Sequence, residues 1–491
     1  MKKSISSMIV FLLTLTCNWQ LFAGESSLKS RQTEQWVVPE GFKVEAVVTD
    51  LFLPVNIAFV PNPLPEAGAP LYYITELYGQ VKVVLQNGEV RTYAENLLNF
   101  EPTGDFPGSG ELGVSGIVVE PLSGDLFVTM VYEDDGIKNR VVRMSSIDGG
   151  RSMNTLTILL DGIPGPVQSH QIHQATIGPD NKLYVQVGDG FFDTAAQSDT
   201  DLRGKILRMN FDGSIPADNP APGSYVYAKG VRNPFGGAWR AADNRLYISG
   251  NGPERDDRLV KVEAGGNHGW PNSLLPGAIH IWNPTVAPTA VAFCNGSGFP
   301  ETLQGLLFVG LSGPTYHPGI TSRGKRIEMF GLNENGQVIS REIFMNYNGG
   351  GRATVVGVAF GPDGLYFTDL YGEEGFDFNG QTQANVYRVY YDPPTAIEPN
   401  NSLPAGFALA QNYPNPFNPQ TTITYMLPQR EHVTLTIYNM EGRKLKTLIN
   451  KPLPGGTHQV TVDGAGISSG VYIYRITAGV FKAVRKMVLI R

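Results

Sequence analysis

Leu183-Tyr184-Val185, reached through the turn Gly178-Pro179-Asp180, is one copy of the pattern that decides the fold. The same step from Leu through an aromatic ring recurs at Leu71-Tyr72-Tyr73-Ile74, Leu126-Phe127-Val128, Leu246-Tyr247-Ile248, Leu307-Phe308-Val309 and Leu365-Tyr366-Phe367. After each comes a segment with a charge set among apolar residues: Val81-Lys82-Val83, Val142-Arg143-Met144, Leu207-Arg208-Met209, Val260-Lys261-Val262, Arg326-Ile327-Glu328-Met329 and Val386-Tyr387-Arg388-Val389. Alternation of this kind predicts strands with one face in a core. The copies lie roughly 55 to 63 residues apart, a little above the common propeller repeats. Six copies predict a six-bladed β-propeller over residues 36–391.

Composition agrees. The 491 residues include 57 Gly and 35 Pro, and 10% are aromatic, which favours many short strands joined by tight turns, an all-β class. A net charge of −7 with no run of Lys or Arg argues against nucleic acid as a partner. At the start, Lys2 and Lys3, the apolar stretch Met8 to Leu15 and Leu21-Phe22-Ala23 before Gly24 read as a signal peptide over residues 1–23. The apolar stretch is shorter than the ~20 residues a membrane span needs, so the mature form is expected to have no transmembrane anchor. Cleavage removes Cys17 and leaves Cys294, which in the run Val291-Ala292-Phe293 reads as a small buried hydrophobe.

After Tyr391 the Pro- and Asn-rich stretch 392–406 reads as a linker. Beyond it, Thr422-Ile423-Thr424-Tyr425, Val433 to Tyr438, His458 to Val462 and Gly470 to Arg475 alternate like the strands of a small immunoglobulin-like sandwich. Gln411-Asn412-Tyr413-Pro414-Asn415-Pro416-Phe417-Asn418-Pro419, Ile437-Tyr438-Asn439, Ser469-Gly470-Val471-Tyr472 and the terminal Lys486 to Arg491 make residues 407–491 resemble the C-terminal sorting domain of type IX secretion substrates. The resemblance implies export through the periplasm to the cell surface or medium, with the type IX machinery as partner.

Three loop segments carry candidate chemistry. Ser169-His170-Gln171-Ile172-His173-Gln174 places a histidine, a base near neutral pH, before a blade strand, although a lone loop histidine is more often simply satisfied by backbone. Gly230-Val231-Arg232-Asn233-Pro234 offers a guanidinium fork from a rigid turn. Asn251-Gly252-Pro253-Glu254-Arg255-Asp256-Asp257 is rich in oxygen donors and suits Ca²⁺, or is simply a solvated acidic turn.

Read in order, these segments join Glu111 ahead of Val118-Val119-Glu120-Pro121, Gly204-Lys205-Ile206-Leu207-Arg208, Asp212 to Pro220, and Gly266-Asn267-His268-Gly269-Trp270-Pro271-Asn272. Together they resemble, over roughly residues 40 to 391, the soluble glucose and sorbosone dehydrogenases, six-bladed propellers that hold pyrroloquinoline quinone (PQQ) with calcium. The resemblance implies that His170 is the base acting on the sugar hydroxyl, and that Arg232 and Asn233 hold the quinone, Arg232 also stabilising charge on it. It also implies that Gly252 and Pro253 give carbonyl oxygens to Ca²⁺, and that Glu111 and Thr285 contact the cofactor. An external electron acceptor would complete the reaction.

The chain departs from that family at three points. Ser169 stands where the glucose dehydrogenase branch has an acid, so less support for a protonated imidazole is expected. The cofactor lysine is missing in register, where an insertion leaves Lys325 or Arg323 to replace it if the loop folds back, and the late arginine pair is reduced to Arg352. His173 and His268 replace a small and an aromatic residue, and metal ligation is not expected of either. These departures leave two other classes open: a secreted carbohydrate-binding or adhesion propeller without the quinone, and a Ca²⁺-dependent hydrolase or lactonase.

Overall fold

In the computed structural model the described residues are 31–32, 35–102, 108, 111–273, 275–314, 318–375, 383–393 and 406–490, so the segment read as a signal peptide and most of that read as a linker lie outside them. The chain divides into two compact units, 1–392 and 393–491.

The first unit is the expected six-bladed propeller. Blade 1 runs Pro54–Phe59, Pro70–Glu76, Gln80–Leu85 and Val90–Ala94, in antiparallel order from the axis outward. Blades 2 to 5 open with Val114–Val119, Ile172–Ile177, Asn233–Arg240 and Pro288–Phe293 and repeat that order. Blade 6 takes three strands from late in the chain, Val358–Gly361, Gly364–Thr368 and Ala384–Tyr391, and two from the beginning, Phe42–Leu51 and the short outer Arg31–Gln32. That pairing closes the ring by joining sequence ends, so each blade keeps only its outermost strand as an edge.

The Leu-aromatic segments are the second strands of the blades. One expectation needs correcting: the charge-bearing strands that follow them do not all present a single face to a core, since Lys205–Met209 is buried at every position. Leu183–Val187, Leu307–Leu311 and Gly364–Thr368 are buried at every position. Each blade is sandwiched between two others, and separate apolar clusters fill the six inter-blade spaces, as where Val83, Tyr73, Val114 and Ile117 meet between blades 1 and 2. A sheet covered on both faces reads as a near-continuous apolar run.

The charge in the third strand anchors the preceding turn. Asp180 accepts from Tyr184 Oη at 2.9 Å and from Arg208 Nε and Nη2 at 3.0 and 2.8 Å. Asp363 likewise takes Tyr366 Oη, and Arg388 closes on it. The recurring Gly-Pro-Asp, Tyr and Arg are therefore blade-building groups. Cys294 is buried, and burial pushes its thiol up to about 12, which makes it inert at neutral pH.

The second unit is a sandwich of two antiparallel sheets, one with Gln420–Leu427 and Gly456–Asp463, the other with Glu431–Tyr438, Lys444–Leu453, Gly470–Ala478 and Phe481–Leu489. Here the one-faced alternation does hold: inward Ile423, Tyr425 and Leu427 meet Leu435, Tyr474 and Ile476 in a single core.

Candidate active site

The inner ends of the blades surround an axial cavity of about 240 Å³ whose wall includes Glu111, Ser115, His173, Phe235, Val356 and Leu370. Much of the polar chemistry gathers at the mouth beside blades 2, 3 and 4.

His170 sits in the segment entering blade 3 and is buried. Its Nδ1 lies 2.5 Å from Asp189 Oδ1. The carboxylate fixes the tautomer with the proton on Nδ1 and leaves Nε2 as the basic nitrogen. Asp189 comes from the loop after Leu183–Val187, where Gly188 lets the two segments touch: a Cβ there would sit 2.4 Å from the His170 carbonyl oxygen. The support that Ser169 was expected to leave missing is thus supplied by Asp189. Sequence reasoning missed this residue, whose only local signal is its place between Gly188 and Gly190.

The other oxygen, Asp189 Oδ2, accepts from Trp270 Nε1 at 2.7 Å, and the Asp189 N–H donates to the Arg232 carbonyl at 2.8 Å. Arg232 turns its guanidinium onto the carbonyl oxygens of Asn251 and Gly252, at 3.1 and 2.8 Å, and lies 5.5 Å from the Trp270 ring. Gly252 is buried and Pro253 exposed. Their turn is held by Asp257, which accepts from the N–H groups of Gly252, Val286 and Ala287. Thr285, half-buried, adjoins that anchor.

Glu111 is a hub. Its Oε2 accepts from the N–H groups of His170 and Gln171, at 2.5 and 3.3 Å, and meets His173 Nε2 at 3.1 Å. Its Oε1 accepts from Asn233 Nδ2 at 3.0 Å, and Asn233 Oδ1 meets the same His173 nitrogen at 3.0 Å. Burial alone would raise the Glu111 carboxyl, but the bond and charge of His173, then the charge of His170, hold it down to about 2. His170 has φ +61°, a conformation costly for a side chain with a Cβ, and the carboxylate holds its N–H in that conformation. Glu111 thus braces the base's backbone. His173 stacks on Phe235 with centroids 4.0 Å apart, and His268 Nδ1 meets the Pro276 carbonyl 3.1 Å away.

Lys325 and Arg352 come from the other side, blades 5 and 6. Lys325 is buried, its Nζ donates to the carbonyls of Gly319 and Gly351, both at 3.1 Å, and burial lowers its pKa to about 8. Arg352 is half-buried, with its N–H on the Glu373 carbonyl. Nearby Asp369 is fully buried, Oδ1 accepting from the Thr354 and Tyr371 N–H groups. Its Oδ2 has no hydrogen-bond partner among the described residues, and burial raises this carboxyl to about 7.

Comparison with known proteins fits this arrangement. Residues 54–369 match the glucose/sorbosone dehydrogenase family, and residues 411–490 match the secretion-system C-terminal sorting domain. Quinoprotein glucose dehydrogenase B of Acinetobacter calcoaceticus is 30% identical over 262 residues, 48% of this chain and 53% of that protein, so the chain spans about half of that relative's length. A crystal structure from Thermus thermophilus, described as an oxidoreductase (glucose dehydrogenase), is 28% identical, with 71% of this chain and 100% of that chain covered and a TM-score of 0.57. The PQQ-bound aldose sugar dehydrogenase of Streptomyces coelicolor shares the fold at 24% identity, with coverage of 72% and 100% and a TM-score of 0.53. The sorting domain indicates secretion or cell-surface sorting, and no helix among the described residues is long and apolar enough to cross a membrane. Because the first match runs over well more than half of the 491 residues and the second over nearly all of the tail, this chain belongs to the glucose/sorbosone dehydrogenase family and carries a type IX sorting domain at its C-terminus.

Proposed function

We propose that this protein is an exported quinoprotein dehydrogenase that oxidises the anomeric hydroxyl of an aldose or related sugar, with PQQ and Ca²⁺ as cofactors and an external electron acceptor. The observation that carries the reading is the 2.5 Å contact between His170 Nδ1 and a buried aspartate. That contact keeps the proton on Nδ1 and leaves Nε2 free to take the hydroxyl proton, and the carboxylate compensates the imidazolium that results. Arg232, lowered in pKa by burial yet offered negative charge by Asp189 and Glu111, stays a cation in a half-dry site and stabilises negative charge beside the base.

The residues present suit an anionic planar quinone. Arg232, Lys325 and Arg352 supply three positive groups and Asn233 an amide. Gly252 and Pro253 would hold calcium through carbonyl oxygens; each such oxygen has two lone pairs, so the Arg232 bond to Gly252 still leaves one for a hard cation. Among the described residues no cluster of three His, Cys, Asp or Glu side chains competes for it. Bound there, the quinone supplies the two-electron acceptor and calcium its Lewis acidity.

Removal of residues 1–23 and passage through the periplasm to the type IX machinery complete this reading. A second one, a carbohydrate-binding propeller without the quinone, is favoured by the apolar wall that Val356 and Leu370 give the cavity and by the engagement of Lys325 with two carbonyls. The test is titration of the metal-stripped full chain with PQQ, with and without Ca²⁺, followed by dye reduction over aldoses. Calcium-dependent binding with sugar-driven reduction is the expected result; sugar binding with no quinone uptake at micromolar concentration would select the second reading.

A further inference from the structure

Glu111, His173 and Asn233 come from three blades and close a ring of hydrogen bonds at the axial cavity. Glu111 precedes Val114–Val119, His173 lies within Ile172–Ile177, and Asn233 begins Asn233–Arg240. Glu111 and His173 stand in the cavity wall. Asn233 is 3% exposed.

Counting donors and acceptors fixes each proton in the ring. Glu111, held down to about 2, is ionised, so both its oxygens only accept. The Asn233 atom 3.0 Å from Oε1 is therefore the amide nitrogen, and the atom 3.0 Å from His173 Nε2 is the amide oxygen. His173 Nε2 thus faces two acceptors, Asn233 Oδ1 and, at 3.1 Å, Glu111 Oε2, and must carry the proton they share. Stacking on Phe235, with planes 22° apart, keeps the imidazole in place. One hydrogen is left over. The Asn233 amide has two, Glu111 takes one, and the second has no acceptor among the described residues. A buried donor without an acceptor is where a ligand atom is expected.

We infer that His173 is a positioning residue: by holding the Asn233 oxygen it locks the amide with its spare N–H turned to the cavity, so that the ligand atom bound there is an acceptor, a carbonyl or carboxylate oxygen. His173 replaces a small residue of the family, which makes no such bond. The lock matters more in this chain because Lys325 is already engaged by two carbonyl oxygens. The inference rests on the quinone reading for the identity of the ligand, but the lock itself is present without one.

The test uses the full chain with its asparagines labelled in ¹⁵N, and Asn233→Asp identifies the Asn233 signals by their loss. In quinone-free wild type the two amide protons should be resolved, and the one bound to Glu111 should exchange slowly. His173→Phe keeps an aromatic ring on Phe235 and removes the donor. It should speed that exchange about 10-fold, while His173→Gln, which restores an N–H, should recover most of the protection. Titration with PQQ and Ca²⁺ should show quinone affinity roughly 10-fold weaker for His173→Phe and within about threefold of wild type for His173→Gln. If His173→Phe does not fold, the same readings are taken on His173→Ala. Exchange as slow in the donor-less variant as in wild type would overturn the inference, and so would fast exchange in wild type or equal quinone affinity in the two proteins. No quinone uptake by wild type, with exchange responding as expected, would support the lock and count against the dehydrogenase reading alone.

Discussion

On the side of the mouth built by blades 2 to 4, both oxygens of Glu111 and both of Asp189 have protein partners, and together they hold His170, His173, Asn233 and Trp270. Across the mouth, blades 5 and 6 present Val356 and Leu370 to the cavity, a lysine bound to carbonyls, and a buried aspartate with one oxygen unpartnered among the described residues. The first side is complete without a ligand, as a proton-handling site must be, because its geometry fixes which nitrogen is free to take a proton. The second is not, and buried groups left unsatisfied are where a ligand, or a strain reserve, is expected.

The contrast can be broken most severely at His170. His170→Ala should lower kcat for dye-linked sugar oxidation by roughly 10²- to 10⁴-fold while quinone affinity changes little; turnover near wild type would remove the base from this side altogether. Asp189→Asn keeps the shape but loses the charge that compensates an imidazolium, so kcat should drop about 10- to 100-fold, the worth of a charge-assisted bond. An equal loss of Tm and no loss of kcat would make Asp189 a structural residue only.

The two sides should also titrate in opposite directions. Glu111 is held near 2 against an ordinary 4.5, so the stability it gives is present above about pH 4.5 and is lost as pH falls through about 2. Glu111→Gln should therefore cost about 1–3 kcal/mol at neutral pH and flatten the acid limb of the Tm profile. Asp369 is raised from 3.8 to about 7, so its contribution is complete below pH 3.8 and is lost as pH rises through about 7. Asp369→Asn should raise Tm slightly above pH 7 and leave it nearly unchanged in acid. Parallel shifts of both profiles would show that the two sides do not differ in the way their hydrogen bonding implies.

Propeller and tail differ in how their strands can be read. In the tail, alternation along Gln420–Leu427 marks one buried face, because each sheet there has a single apolar neighbour. In the propeller the same reading fails at Lys205–Met209, because the neighbouring blades bury both faces, and its Arg208 is 4% exposed between two aspartates.

By itself the sequence determined the six repeats, the sorting tail and the family motifs around His170, Arg232 and Gly252, since turn chemistry, strand composition and motif order are properties of short segments. Only the tertiary structure decided who supports the base. Asp189 lies 19 residues beyond His170, Glu111 59 before its N–H, and Trp270 81 beyond Asp189. They meet because separate blades deliver their loops to one mouth, where a carboxylate's effect on a nitrogen depends on ångströms of approach and not on distance along the chain.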